Sequence, residues 1–262
     1  MRGRFGGKIV LIRRRYVAAL GLFAVVIAIF YIISHPALVG QAGRERALPI
    51  YSVQREEAAL SLTFNAMEPL DQHTAQVLEI LNFYGVRATF FVTGDWVREN
   101  ASLAAALLAG GHELMNLSDD YSVLRRLTAS DIQANLSACS EVLRGVTGEW
   151  PSLFRAPFGE YDDKLISTAA AMGMHTIQWS IDSGDWRGYA AEVIVRRVTG
   201  RAFSGGIVLF HSNLEETVLA LPDILQGLMD EGYALIPVSE MVIQSEFTIS
   251  PTGRQIPVIG GP

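Results

Sequence analysis

Short runs of β-forming residues alternate with stretches of helical periodicity from residue 57 to about residue 243. A strand, a helix and a further strand in succession place the two strands parallel in one sheet. The predicted strands occupy residues 58–64, 87–92, 112–116, 152–155, 175–181, 206–210 and 233–237. The predicted helices occupy residues 70–84, 95–109, 128–143, 162–172, 189–201 and 215–230. Seven strand–helix units in one domain favour an α/β fold of the (β/α) barrel type.

An apolar segment near the N-terminus differs from this pattern. Residues 16–34 contain no charged side chain. A helix over the apolar run 16–33 rises about 27 Å, close to the hydrocarbon thickness of a bilayer. Residues 1–15 carry six of the 21 Lys and Arg residues and none of the 27 acidic residues. By the positive-inside rule we expect residues 1–15 in the cytoplasm, a single-pass anchor in the cell membrane over residues 16–34, and the rest outside. The alternative is a signal peptide cleaved after Gly40-Gln41-Ala42.

The remainder of the chain divides into three predicted parts. Residues 35–56 are expected to form a stalk and residues 57–244 the barrel. Residues 245–262 contain Gly and Pro without periodicity, which predicts a loosely ordered tail. From Tyr16 onward the formal net charge is (21 − 6) − 27 = −12. A domain this acidic lacks the basic patch that nucleic-acid binders need, so we expect no nucleic-acid partner; neutral or weakly cationic glycans suit the charge better.

Polar motifs follow the predicted strands, at the end of a parallel barrel where chemistry gathers. In chain order they read TFNAMEP (63–69), NLSDDY (116–121), FRAPFGEYD (154–162), DSGDW (182–186) and LFH (209–211). With VRATFFVTGDW (86–96) and GGHELMN (110–116), this series resembles the NodB-type polysaccharide deacetylases, carbohydrate esterase family four. The resemblance covers residues 57 to 243. It implies a distorted (β/α) barrel that acts on acetylated sugars, which makes cell-wall glycan the expected partner.

The resemblance also implies that the usual metal site has been lost. Active members of the family hold a divalent metal such as zinc with one Asp and two His, and use a second Asp as base. The base position here is Asn65, whose amide takes no proton near neutral pH. The three ligand positions are Ala66, Leu117 and Tyr121, two of which have no donor atom. We therefore expect no bound metal or other cofactor, and impaired catalysis.

The other half of the family's site is present. Arg155 matches the arginine that orients the base, and Asp185 and His211 match the carboxylate and histidine that act as an acid unit. Without an anionic base, Arg155 is expected to turn to another acceptor such as Asp185. The alternative interpretation is that these groups persist only as a buried polar network. The residues expected to contact substrate are Pro157, Phe158, Tyr161, Trp186 and Leu209.

Several functions remain open from the sequence. The first is a non-catalytic protein that binds glycan or a partner through the old substrate groove, and the second is an active deacetylase with rearranged ligands; a purely structural role is a third. Rearranged ligands would come from an oxygen-rich set that suits Ca²⁺ or Mg²⁺. Acids in a loop before a helix are, alternatively, solvated or capping groups. The set is Asn65, Glu68, His73, Asp119 and Asp120.

Overall fold

The computed structural model describes residues 47–67 and 73–258. The predicted cytoplasmic segment 1–15 and the predicted anchor 16–34 lie outside these residues. Among the helices that are described, none is both long and apolar enough to cross a membrane.

Eleven strands belong to one sheet in the described part of the chain. Their order is β10-β11-β1-β8-β2-β3-β4-β5-β6, with β7 paired to β8 and β9 paired to β2. From β8 to β6 every pairing is parallel, as the alternation of strands and helices predicts. The strands are β1 (Ser52–Val53), β2 (Ala59–Ala66), β3 (Thr89–Val92), β4 (Glu113–Asn116), β5 (Leu153–Phe154), β6 (His175–Thr176), β7 (Ile181–Asp182), β8 (Gly206–His211), β9 (Ala234–Leu235), β10 (Phe247–Ile249) and β11 (Arg254–Pro257).

The described α-helices are α1 (Thr74–Tyr84), α2 (Gly94–Glu99), α3 (Ala101–Ala109), α4 (Ala129–Thr147), α5 (Asp163–Ala171), α6 (Ala191–Thr199), α7 (Glu215–Asp230) and α8 (Val238–Met241). Their ends follow local chemistry. Thr128 accepts a hydrogen bond from the backbone N–H of Asp131 and so begins α4. Gly85 ends α1 in a left-handed conformation, φ 66°, that favours glycine. The predicted helix 95–109 is two helices, because the backbone of Asn100 leaves the helical region.

The core lies between the sheet and the helices. Phe64 on β2 lies 5.0 Å from Phe90 on β3 and 5.3 Å from Phe210 on β8, measured between ring centroids. All three rings are fully buried, and burial of one such side chain stabilises the fold by about 1.5–3 kcal/mol. Alternate residues of β2 point to the other face of the sheet. This alternation places Ala66 in the same core cluster as Phe64, and Asn65 on the opposite face.

Two predicted boundaries are wrong. The predicted stalk includes residues 50–53, yet Ile50 and Val53 are buried and β1 pairs with both β8 and β11. The predicted loose tail includes β10 and β11, which form an antiparallel hairpin. The buried side chain of Gln255 holds this hairpin by hydrogen bonds with the backbone N–H and C=O of Ile243. Pairing with distant segments, rather than local propensity, orders both regions.

Candidate functional site

Neighbouring strands deliver the polar side chains to one edge of the sheet. Asn65 of β2 is paired in register with His211 of β8. On the other side of β8, Asp182 at the end of β7 is paired with Leu209. A 3₁₀ turn, Asp185–Arg187, follows directly. Because these strands are parallel, their carboxyl ends meet at this edge and bring the motifs together.

Asp185 and His211 form a hydrogen-bonded pair. Nδ1 of His211 lies 2.9 Å from Oδ1 of Asp185, and the backbone N–H of His211 donates to Oδ2 at 2.6 Å. The same carboxylate accepts from Thr217 Oγ1 and from the backbone N–H of Trp186, both at 2.8 Å. Burial alone raises the pKa of Asp185, but the hydrogen bond from His211 and the other donors hold it below its usual range. The predicted contact between the two residues is therefore present.

Arg155 lies beneath this edge and is wholly buried. Its Nη1 donates to Asn65 Oδ1 at 3.1 Å, and its Nη2 donates to the carbonyl oxygen of Gln178 at 3.2 Å. The guanidinium lies 4.1 Å from the ring centre of Phe91. Burial lowers the pKa of Arg155 to about 9. The expectation that Arg155 turns to Asp185 is wrong, because the amide oxygen of Asn65 still faces the guanidinium.

The three positions that the resemblance assigns to metal ligands carry side chains of a different kind. Ala66 and Leu117 are fully buried among apolar side chains. Tyr121 has a left-handed backbone, φ 55°, and its ring packs on Phe158 with a centroid separation of 4.5 Å. In the described residues no three His, Cys, Asp or Glu side chains converge as a metal site would require. A methyl group, an isobutyl group and a phenol do not fit a zinc ion, which takes nitrogen, sulfur and carboxylate donors.

The acidic residues proposed as substitute ligands have protein partners. Asp119 forms an ion pair with Arg98 at 2.7 Å. Asp120 accepts a hydrogen bond from Asn135 Nδ2 at 2.8 Å, and Nδ1 of His73 contacts Gln76 Oε1 at 3.0 Å. Glu68 lies outside the described residues. The interpretation of Asp119 and Asp120 as surface and loop-capping acids is therefore favoured.

A pocket of about 270 Å³ opens at this edge of the sheet. Phe158 and Trp186 stand at it with 57% and 54% of their surfaces exposed, so both rings are accessible to a ligand. At Gly159, φ 70°, a Cβ atom would lie 2.9 Å from the ring of Trp179, so only glycine allows this close approach. The lining residues are Asn65, Tyr121, Phe158, Gly159, Trp179, Asp182, Trp186, Leu209 and His211.

The structure brings together most of the predicted site residues and adds others. Pro157 and Tyr161 do not line the pocket; Pro157 is buried, and the hydroxyl of Tyr161 lies 3.0 Å from that of Tyr51. Sequence reasoning missed Trp179 and Asp182 as lining residues. Asp182 could have been predicted to line the pocket, because it begins the DSGDW motif at the end of a strand. Nothing in the sequence indicated that Trp179 lines the pocket, because it falls inside the predicted strand 175–181.

Comparison with known sequences points to one family. A family model described as polysaccharide deacetylase matches residues 52–177. A peptidoglycan-N-acetylglucosamine deacetylase of Bacillus cereus is 32% identical over 197 residues, which are 73% of this chain and 92% of that protein. A peptidoglycan-N-acetylmuramic acid deacetylase of Bacillus subtilis is 30% identical over 190 residues. The chain spans only 60%, 40% and 38% of the length of three of the curated relatives it matches.

Solved structures show the same fold. A CE4 family pseudoenzyme from Bacillus anthracis is 28% identical with a TM-score of 0.70, over 74% of this chain and 68% of that chain. A mutant of that pseudoenzyme with restored enzymatic activity matches equally well, over 70% of its chain. The peptidoglycan deacetylase PdaC from Bacillus subtilis is 30% identical with a TM-score of 0.65, over 72% of this chain and 92% of that one. The domain is accordingly an α/β half-barrel of this structural group.

Proposed function

The chain belongs to the polysaccharide deacetylase family, and we propose that it is a membrane-anchored member with impaired catalysis that binds cell-wall glycan. One observation carries the proposal. The positions that the resemblance assigns to metal ligands are Ala66, Leu117 and Tyr121. The pocket that Tyr121 lines is nevertheless open and contains several aromatic rings. The similarity to a pseudoenzyme of the same fold supports this interpretation.

Energetics argue against substantial catalysis without a metal. A bound metal lowers the pKa of water to about 7, which lowers the free energy of forming hydroxide by about 12 kcal/mol. A general acid such as the Asp185–His211 pair contributes about 10²–10⁴-fold, or roughly 3–5 kcal/mol. The contribution of the Asp185–His211 pair is therefore too small to replace that of a bound metal.

The pocket has the features that glycan binding requires. The side chains of Phe158 and Trp186 are each more than half exposed, so the C–H face of a sugar can stack on the accessible part of each ring. Asn65 and His211 offer polar atoms at the floor, and Leu209 provides an apolar wall. A few polar groups among apolar ones is the usual composition of a small-molecule site.

Membrane anchoring rests on the sequence of residues 1–34. The six cations of residues 1–15 and the uncharged run of residues 16–34 support a single-pass anchor with the domain on the outer side. We expect the full-length protein to stay in the membrane pellet after a high-salt wash. Soluble mature protein that begins near Gly43 would contradict the anchor.

Glycan binding and activity are tested on the purified full chain in detergent. We expect it to bind insoluble peptidoglycan in a sedimentation assay and to release acetate from acetylated chito-oligomers or peptidoglycan only at background rates. The Trp186→Ala variant should bind about 10-fold more weakly, since one stacking ring contributes roughly 1–1.5 kcal/mol. Acetate release that a chelator abolishes would instead establish the alternative, a deacetylase with rearranged ligands.

A further inference from the structure

Beneath the pocket lies a buried cation, Arg155, that has no anionic partner among the described residues. The hydrogen-bond acceptors of Arg155 are the side-chain oxygen of Asn65 and the carbonyl oxygens of Ile177 and Gln178, all of them neutral. None of the ion pairs formed by the described residues includes Arg155. A buried charge whose hydrogen-bond acceptors are all neutral is unfavourable. Burial lowers the pKa of Arg155 to about 9, and an electrostatic interaction with Tyr121 opposes this only in part. An anion bound nearby would relieve this cost.

Asn65 connects the cation to the pocket. Because arginine only donates hydrogen bonds, the Asn65 atom that it reaches is the carbonyl oxygen, and this fixes the orientation of the amide. Nδ2 of Asn65 then has no hydrogen-bond acceptor among the described residues, although the side chain lines the pocket and is only 4% exposed. The guanidinium on the far side of the amide polarises this N–H group. Asn65 thus presents a fixed donor to any ligand in the pocket.

Among the described residues, the carboxylates of Asp182 and Asp185 lie at this edge of the sheet, and each accepts hydrogen bonds from protein donors. Asp185 accepts from His211, Thr217 and the backbone of Trp186. Asp182 Oδ1 accepts from the backbone N–H of Gly184 at 2.9 Å and from Trp186 Nε1 at 3.3 Å. The other acidic side chains of the chain affect a ligand in the pocket less when they lie more than roughly 10 Å away, because salt at about 0.1 M screens charges beyond that distance. Asn65 Nδ2 therefore remains as a hydrogen-bond donor for a ligand at the floor of the pocket.

We propose that the pocket binds the carboxylate of a carboxylate-bearing sugar, with Asn65 Nδ2 as its donor and Arg155 as the compensating charge; this rests on the proposed glycan-binding function. A carboxylate only accepts hydrogen bonds, so it matches the Asn65 donor. The ammonium group of a free amino sugar would meet a like charge, and a neutral acetamide would leave Arg155 uncompensated. Nδ1 of His211 is engaged by Asp185, which leaves Nε2 as the ring nitrogen for a second contact.

The ligand test uses two sugars that differ in one charge. N-acetylmuramic acid and its methyl ester are titrated into the full chain in detergent by calorimetry, with acetate and glucosamine as further probes. We expect the acid to bind at least 10-fold more tightly than the ester, and glucosamine to bind most weakly. Acetate should bind more weakly than the acid, because it makes no contact with the aromatic rings. Acetate that matches the acid would show that the site takes any small carboxylate, which contradicts the sugar in the proposal.

Two variants of Asn65 separate this proposal from a merely structural role. Asn65→Asp returns a carboxylate to the buried guanidinium, so we expect the melting temperature to rise by several degrees while binding of the acid falls at least 10-fold. Asn65→Ala removes the donor and should lose the binding without that gain in stability. Equal affinities for acid and ester would overturn the carboxylate inference and leave glycan binding intact. Failure of every saccharide to bind would overturn both.

Discussion

The two halves of the site differ in how their residues are held. The ligand half consists of the positions Ala66, Leu117 and Tyr121, and the acid half consists of Asp185, His211 and Thr217. In the ligand half the side chains make apolar contacts, two of them within the core. In the acid half a single buried carboxylate gathers four hydrogen bonds. We therefore expect the fold to depend on the acid half, whereas metal ligands without a metal would be buried polar groups that destabilise it.

The largest expected effect comes from rebuilding the ligand half. The quadruple variant Asn65→Asp, Ala66→Asp, Leu117→His and Tyr121→His should bind one zinc ion per chain and release acetate at least about 10³-fold faster than the native protein. That gain corresponds to about 4 kcal/mol of transition-state stabilisation. Acetate release and elemental analysis are the measurements.

The matched control adds His211→Ala to the quadruple variant. This control should keep zinc but lose about 10²–10⁴-fold in rate, because it lacks the acid. A quadruple variant that holds zinc and stays inert would show that the pocket has been remodelled beyond its ligands. The hydrogen bonds of the acid half would then contribute to the stability of the fold and not to catalysis.

The second effect concerns the acid half in the native protein. Asp185→Ala should lower the free energy of unfolding by about 2–4 kcal/mol, because it leaves several buried donors without an acceptor. Asp163→Ala, at an exposed position in the first turn of α5, is the control and should change stability by about 0.5 kcal/mol or less. Urea denaturation measures both. A loss below about 1 kcal/mol for Asp185→Ala would mean that the fold does not depend on this half.

The same carboxylate predicts a pH dependence. The pKa of Asp185 in the folded protein lies below its usual value, so the unfolded chain binds the proton first as the pH falls. Its contribution to stability is therefore complete above the unfolded pKa, near 3.9, and is lost as the pH falls through the lower folded value. The difference in urea midpoint between the native protein and Asp185→Asn should shrink across this window. A constant difference from pH 6 to pH 2.5 would contradict the sign of the shift.

The smallest effect is expected from a single change in the ligand half. Tyr121→His should alter the free energy of unfolding by about 1 kcal/mol or less. Its backbone φ of 55° suits histidine better than most side chains, which offsets the lost contact with Phe158. Thermal denaturation of this variant beside Asp185→Ala compares the two halves directly. Similar losses of stability in both variants would mean that the two halves of the site do not differ in their contribution to the fold.

Much of the parallel half of the fold could be predicted from the sequence. The periodicity of residues 215–230 matches α7, and the runs that predict β3, β4 and β8 lie within one or two residues of the strands. These elements bury one face against the core, so hydrophobic spacing carries their signal. β10 and β11 were missed because hydrogen bonds to β1 and Ile243 order them, and no local pattern reports such pairing.

The site, like the fold, could be predicted from the sequence only in part. The resemblance of the motifs was enough to place Asp185 beside His211, since both follow neighbouring strands. It did not predict the acceptor of Arg155, because an asparagine oxygen occupies nearly the same place as a carboxylate oxygen. Trp179 was missed because its position in the pocket depends on the turn between β6 and β7 and on the close approach of Gly159.

The pairing of β1 with β11 has a consequence for the order of folding during synthesis. Ser52 pairs with Arg254 and Val53 with Gln255, so one edge of β1 has no partner until almost the last described residues have left the ribosome. Closing so long a loop is slow compared with forming the local parallel units. A nascent chain that ends before residue 254 therefore presents a bare β1 edge, to which a chaperone or a second nascent copy can add a strand.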